Sequence, residues 1–383
     1  MQHQDSPVRI VFTGGGTGGH VSPILAVIDE LQALDIAYEP LWIGSKQGAE
    51  RRAADEHAIP YKAVSVGKLR RYVSLRTVPD TARVPLGVLQ SLPALRRFRP
   101  DVIFSTGGYV GVPAVVAGRM LGIPSLTHEQ TAALGLATRI NARFSRTVAL
   151  SHDRDIRPRV AAGGRVIVTG NPIRSWLHDG SKEKAGCRFG LNSGLPVIYV
   201  TGGAQGALAI NDAVEAALPE LLEFVEIVHQ TGPNEFNGSY DKLTRSSREL
   251  PEQLRSRYHL TERVGRELGD LYAAADIVLG RSGAGTVAEL AALGLPSILI
   301  PLPGAVEQLE NARILERAGA AVIVDQANLT PERLIVEISS LAESTEKRDA
   351  MVAAARSTVG EESPARLLVE EILALADLRA SGR

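Results

Sequence analysis

The chain has 383 residues, 44% of them hydrophobic and 22% charged, with a formal net charge of −1. That length calls for two domains rather than one core, and the near-zero charge argues against a nucleic-acid partner. The single cysteine, Cys187, excludes an internal disulfide and a multi-cysteine metal site, and fits a reducing cytoplasm. Met1 to Pro7 is polar and lacks the basic and apolar regions of a signal peptide. No apolar run approaches the ~20 residues of a membrane span, so any membrane contact is expected to be peripheral.

A first strand, Val8–Phe12, runs into Thr13-Gly14-Gly15-Gly16-Thr17-Gly18-Gly19-His20 and then a helix-like run from Ile24 to Leu34. A buried strand, a turn without side chains and a helix N-terminus together present backbone N–H groups to an anion. Gly14-x-Gly16-x-x-Gly19 fits the dinucleotide fingerprint, but the second strand, Glu39–Ile43, runs into Gly44-Ser45-Lys46 without an acid for a ribose. NAD and FAD are therefore disfavoured, and a P-loop NTPase is disfavoured because no G-x-x-x-x-G-K-[ST] sequence exists. His20 lies where a helix N-terminus keeps imidazole neutral. It reads as a general base facing a cleft, with a capping or packed histidine as the alternative.

Further strands are expected at Tyr61–Val64, Val102–Ser105, Ser125–Thr127, Thr147–Leu150 and Val166–Thr169. Lys68 to Arg99 mixes arginines with leucines and valines. It suits either an interfacial contact with anionic lipid or an amphipathic helix pair with a solvated arginine face. Behind the next strands come Thr106-Gly107-Gly108-Tyr109, His128-Glu129-Gln130-Thr131 and Gly170-Asn171-Pro172-Ile173-Arg174. Asp153-x-Asp155 could be a metal-binding pair but sits in a charged stretch and is taken as a solvated loop. A domain boundary is expected near Gly170-Asn171-Pro172, with a polar linker from Ser175 to Leu195.

The second half repeats the opening: Val197–Thr201, then Gly202-Gly203-Ala204-Gln205-Gly206-Ala207, then a helical run from Leu208 to Leu222. Strands at Val225–Gln230, Tyr258–Leu260, Ile277–Leu279, Ser297–Ile300 and Ala321–Val324 follow, and a last helix spans Pro364 to Leu378. Continuous apolar strands alternating with helices indicate parallel sheets covered on both faces, hence α/β, doubly wound, twice over. Ligands of such sheets lie beyond the strands' C-terminal ends. Arg281-Ser282-Gly283-Ala284-Gly285-Thr286-Val287-Ala288-Glu289 and the Gln308 segment stand there. Glu289 closes a Thr286-x-x-Glu289 capping box or, following that glycine turn, accepts ribose hydroxyls; the ribose role is preferred.

Motifs at Gly15–His20, Gly107–Tyr109, His128–Gln130, Gly170–Arg174, Gly202–Ala207 and Arg281–Thr286 together resemble the MurG family of glycosyltransferases, from about Val8 to Ala327. The resemblance implies a GT-B fold, two Rossmann-like domains with a cleft between them. It places an acceptor and membrane-associating domain at 1–172, a UDP-GlcNAc domain at 173–363, and a final helix, 364–383, returning to the first. The implied activity is inverting, metal-independent transfer of N-acetylglucosamine from UDP-GlcNAc to lipid I, giving lipid II. The enzyme would sit peripherally on the cytoplasmic face of the membrane, held through Lys68–Arg99, with no cofactor.

By the same resemblance His20 and Glu129 are catalytic, and Gly107, Gly108 and Tyr109 meet the acceptor. Thr17, Gly18, Gly19, Thr131, Arg174, Ala204, Gln205, Gly265, Ser282, Ala284, Gly285, Thr286, Val287, Ala288, Glu289 and Gln308 meet the donor. The chain departs from the family's pattern in three places. Thr131 replaces an asparagine, Ala204 replaces a serine, and a shortened segment lacks the acidic residue that the family carries just before the Gln308 motif. The alternatives are a GT-B transferase with another lipid or small acceptor, a UDP-GlcNAc 2-epimerase, and a non-catalytic nucleotide-sugar binder. The epimerase would form product without acceptor, and the binder would hold UDP-GlcNAc without turnover.

Overall fold

The computed structural model describes residues 6–16, 18–67, 77–153 and 158–381, with residues 77–82 as backbone. Thr17, the Lys68–Arg76 part of the basic-apolar stretch and Asp155 lie outside them. The chain forms two compact units, one from Met1–Arg174 with Gly360–Arg383, the other from Ser175–Val359.

The first unit opens with β1 (Val8–Thr13), α1 (Gly18–Ala33), β2 (Tyr38–Gly44), α2 (Ala49–Glu56) and β3 (Tyr61–Ala63). It continues with α3 (Thr77–Phe98), β4 (Val102–Ser105), α4 (Gly108–Met120), β5 (Ser125–Glu129), α5 (Leu136–Ala142), β6 (Thr147–Leu150) and β7 (Arg165–Val168). The strands form one parallel sheet in the order β3-β2-β1-β4-β5-β6-β7. The order reverses between β1 and β4, so the turns leaving Thr13 and Ser105, partners in the register, open the crevice where such sheets bind ligands.

The second unit holds α6 (Lys182–Phe189), β8 (Val197–Thr201), α7 (Leu208–Leu221) and β9 (Glu226–Gln230). Next come α8 (Asn234–Asn237), α9 (Ser239–Arg248), α10 (Glu252–Arg255), β10 (Tyr258–Thr261), α11 (Leu268–Ala274) and β11 (Ile277–Gly280). It ends with α12 (Ala284–Leu293), β12 (Ser297–Leu299), α13 (Val306–Ala318), β13 (Ala321–Ile323), α14 (Pro331–Ala342) and α15 (Thr345–Arg356). Its sheet is also parallel, in the order β10-β9-β8-β11-β12-β13, with the reversal between β8 and β11. The expected doubly wound architecture is thus present in each unit.

Helix α16 (Pro364–Ser381) belongs to the first unit. Its Leu368, Val369, Ile372 and Leu375 are buried in one cluster with Ile24, Leu25, Ile28 and Leu31 of α1, each burial worth on the order of 2 kcal/mol. Its Glu371 accepts from Thr147 Oγ1 and pairs with Arg165, and Arg379 donates to the Pro100 carbonyl at 2.6 Å. Two element bounds differ from expectation and matter for function. Helix α1 reaches back to Gly18, so His20 stands in its first turn, and β5 runs on to Glu129, so His128 and Glu129 are strand residues.

Candidate active site

The turn after β1 is built from three glycines in conformations closed to other residues: φ is 144° at Gly14, 152° at Gly15 and 92° at Gly16. The space around them is equally restrictive. A Cβ at Gly14 would stand 2.1 Å from Thr106 Oγ1, one at Gly15 2.4 Å from the Glu50 carboxyl, and one at Gly16 2.9 Å from the Tyr109 ring. The turn is a packed junction between α1, α2 and α4.

His20 is fixed by Thr106. Thr106 Oγ1 donates to the His20 carbonyl at 2.6 Å, and His20 Nδ1 lies 2.9 Å from the Thr106 carbonyl. A carbonyl only accepts, so Nδ1 carries the proton and Nε2 holds the lone pair. The Gln130 amide nitrogen lies 2.7 Å from Nδ1 while Gln130 Oε1 is buried without a partner. Turning the amide brings its oxygen toward the Nδ1 proton, in place of a donor facing a donor. Burial pushes the His20 pKa down, against the opposing charges of Glu129 and Glu50 and the hydrogen bond to Thr106, so the ring is neutral at pH 7. Nε2 lies on the Gly108 side, where a Cβ would come 3.4 Å from it. Gly108, with φ of 67°, leaves that face open. A half-buried, neutral imidazole with a fixed tautomer is suited to take a proton.

Glu129 is placed beside His20 but its carboxylate is used by its own loop. Oε1 accepts from Thr131 N at 3.2 Å and Thr131 Oγ1 at 2.8 Å, and Oε2 accepts from Gly135 N at 2.9 Å. It orders the turn after β5 and sets the field at the imidazole. Thr131, one of the departures, is taken up in the same network. His128 is fully buried, its Nε2–H donates to the Gly170 carbonyl at 3.0 Å, and burial lowers its pKa to about 4. Arg174 is gripped at two points by Asp29 of α1, with side chains only 13% and 15% exposed.

In the second unit the turn after β8 places Ala204 and Gln205 exposed at its tip, with Gly203 N donating to Thr201 Oγ1 at 3.1 Å and Gly206 N to the Gly203 carbonyl at 3.0 Å. Thr201 and Gly280 are register partners, so the Arg281–Gly283 turn stands next to it. Helix α12 begins there behind Gly283, an N-cap residue with no side chain to cap it. The N–H groups of a helix start suit anions and hydroxyls. The capping-box alternative fails by register: Thr286 is already the third residue of α12, and the Glu289 carboxylate accepts instead from Tyr272 OH at 2.8 Å. Burial raises the Glu289 pKa to about 7.

Ser282 Oγ donates to the Gln308 carbonyl at 2.8 Å, while Gln308 Oε1 accepts from Leu302 N at 3.0 Å, so the shortened segment before α13 folds back on this side chain. Gly265 is exposed in the loop after β10. Arg281 braces the carbonyls of Ile300 and Pro301 at 2.9 and 3.3 Å. Among the described residues no group of three or more His, Cys, Asp or Glu side chains could hold a metal. No described helix is long and apolar enough to cross a membrane.

On sequence Thr106 stands in the segment behind β4 without an assigned role, and Glu50, which carries no local motif, is passed over.

Two family models match the chain: the glycosyltransferase family 28 N-terminal domain over residues 10–150 and its C-terminal domain over 197–371. A Bacillus cereus protein named "UDP-N-acetylglucosamine--N-acetylmuramyl-(pentapeptide) pyrophosphoryl-undecaprenol N-acetylglucosamine transferase 2" is 37% identical over 344 residues, 88% of this chain and 93% of that protein. The enzyme of the same name, without the number, from Listeria welshimeri is 36% identical over 371 residues, 96% and 99% of the two chains. The crystal structure of Acinetobacter baumannii MurG superposes with a TM-score of 0.71 at 26% identity, over 96% of this chain and 100% of that one. The fold is GT-B, as the resemblance implies.

Proposed function

The chain belongs to glycosyltransferase family 28 and, within it, to the MurG N-acetylglucosaminyltransferases, and we propose that it transfers N-acetylglucosamine from UDP-GlcNAc to the 4-hydroxyl of undecaprenyl-diphospho-muramoyl-pentapeptide. The observation that carries the catalytic assignment is the His20 imidazole, neutral, fixed by the Thr106 carbonyl and open at Nε2. His20 Nε2 takes the acceptor hydroxyl proton as that oxygen bonds to the anomeric carbon. The bond from that carbon to the diphosphate oxygen breaks with its electron pair, UDP leaves, and the anomeric centre inverts.

The donor's diphosphate is assigned to the α12 N-terminus and the Ala204–Gln205 turn, where backbone N–H groups offset the charge developing on the leaving group. Glu289 takes the ribose and Gln308 the donor sugar. Gly107, Gly108 and Tyr109 line the acceptor side, with Glu129 as organiser of its loop. Arg174, held by Asp29, anchors α1 rather than presenting a free guanidinium to the donor. Peripheral binding to the cytoplasmic face of the membrane is assigned to α3, where Leu86 (47%) and Leu89 (63%) are exposed on the face that carries exposed Arg96 and Arg97.

The test is transfer of labelled N-acetylglucosamine from UDP-GlcNAc to a short-chain lipid I analogue, with and without chelator. A β-linked product insensitive to chelator supports the assignment. Turnover of UDP-GlcNAc without acceptor would overturn it. His20→Ala should lower kcat by about a hundredfold or more with the donor still bound; unchanged kcat would remove His20 from the role of base.

A further inference from the structure

Glu50 is a fully buried carboxylate in the first turn of α2, 34 residues from the glycine turn it touches. Its Oε2 accepts from Gly16 N at 3.1 Å, and its Oε1 accepts from Ser45 N at 3.1 Å and from Ser45 Oγ. Ser45 is braced in turn, its carbonyl accepting from Tyr61 OH at 2.6 Å. Three glycines make room for the carboxyl: a Cβ at Gly15, Gly44 or Gly48 would lie 2.3 to 3.0 Å from Glu50 or Tyr61 atoms. In the dinucleotide fingerprint an acid at the end of the second strand holds the ligand's ribose. Here the acid arrives later, in α2, and closes onto the protein's own turn.

We propose that Glu50 is a positioning residue for transfer: it clamps the first glycine turn behind His20 and closes Gly16 N–H to phosphate. The proposal rests on the transfer reaction assigned above. The path is short. Glu50 holds Gly16; the Gly15 carbonyl is the atom a Cβ at Gly108 would meet, at 2.9 Å; and His20 lies against that same Gly108. A buried anion beneath Gly16 also repels a second anion there. The first turn therefore serves geometry and hydroxyl groups, and any diphosphate on this unit must use N–H groups beyond Gly16.

The experiment uses the full-length enzyme and Glu50→Gln. Glutamine has the shape of glutamate but one acceptor oxygen for donors on both sides, so its NH2 must face either Gly16 N–H or Ser45. The clamp predicts about a hundredfold loss of kcat, the cost of a slightly misplaced catalytic group, with the Kd for UDP-GlcNAc unchanged. The acid limb of kcat/KM should move to lower pH. Glu129 and Glu50 favour the imidazolium of His20, His128 also interacts electrostatically with it, and Glu50→Gln removes one of the two anions. Ser45→Ala, which leaves the Gly16 bond in place, should lose less than Glu50→Gln.

Amide hydrogen exchange reads the clamp without turnover. Gly16 N–H, on an exposed residue, should exchange slowly in the wild type and fast in Glu50→Gln. Wild-type kcat with an unmoved acid limb in the folded variant, or equal Gly16 exchange in both proteins, overturns the proposal. Absence of transfer by the wild type with a protected Gly16 amide would instead overturn the assigned reaction and leave the clamp standing.

Discussion

Glu289 gives a quantitative test of where the ribose binds. Its carboxyl is pushed up to about 7 by burial, with Tyr272 OH as its hydrogen-bond donor. The free enzyme at pH 7 therefore holds this group about half protonated. A ribose diol donating to it stabilises the carboxylate, so binding draws on the ionised form and releases a proton. The sign follows from linkage: UDP-GlcNAc binds more tightly as pH rises through the free-enzyme pKa. With that pKa about 7, roughly one tenth of the sites are ionised at pH 6 and nine tenths at pH 8. If the bound carboxylate stays ionised at both, Kd tightens by about tenfold, or about 1.4 kcal/mol.

Calorimetry with UDP-GlcNAc at the two pH values, in two buffers of different ionisation enthalpy, measures both Kd and the proton count. The donor's diphosphate diester does not titrate in this range, so the signal belongs to the protein. Glu289→Gln should abolish the proton release and bind at pH 8 about as weakly as the wild type at pH 6. A pH-independent Kd in the wild type, or a Gln variant with wild-type affinity at pH 8, would refute the ribose assignment.

Gly108→Ala forces a φ of 67° on alanine and sets a methyl 3.2 Å from His20 Cδ2; kcat should fall about a hundredfold in steady-state assays while UDP-GlcNAc affinity holds. Asp29→Asn removes the charge opposing a guanidinium that is 13% exposed, and thermal unfolding should show a loss of about 3 kcal/mol, a shift of several degrees in Tm. Leu89→Glu on the exposed face of α3 should weaken sedimentation with vesicles containing anionic lipid and leave turnover of a water-soluble acceptor analogue intact.

The sheets were legible because parallel strands are buried on both faces. Ile10 to Thr13, Val102 to Phe104 and Val197 to Thr201 are buried at every position and read as unbroken apolar or β-branched runs. The glycine turns were legible because only glycine reaches their φ values. Pairings between distant elements were not. Glu50 with Gly16, Thr106 with His20 and Arg174 with Asp29 join residues 34, 86 and 145 positions apart, and no local period encodes them. The capping-box alternative for Glu289, second to the ribose role on sequence, fails for a related reason. Thr286 has the right spacing, but α12 starts three residues earlier than that box requires because Gly283, extended at φ −61° and ψ 150°, already serves as its N-cap.

The two glycine turns share a motif but differ in the groups that support them. Both follow an interior strand of a parallel sheet, both stand beside the strand-order reversal, and both lead into a helix. Sequence alone makes each an anion cradle. In the first, Glu50 fills the space under the turn and takes Gly16 N–H, so the turn's glycines serve close packing around His20. In the second, the corresponding support is neutral: Gly203 N–H rests on the Thr201 hydroxyl and Gly206 packs against the Thr231 carbonyl. No carboxylate stands among those contacts, and Ala204 and Gln205 face solvent. A transferase that must hold a nucleotide diphosphate and also keep a histidine neutral gains from separating the two tasks. Phosphate beside His20 would raise its pKa, and a carboxylate under the donor turn would repel the leaving group. Moving the acid is therefore the sharper experiment on this fold: a carboxylate placed at Ala204, as Ala204→Asp, should weaken UDP-GlcNAc binding well beyond the effect of Ala204→Asn. Equal affinities for the two variants would mean that the diphosphate does not lie at the second turn.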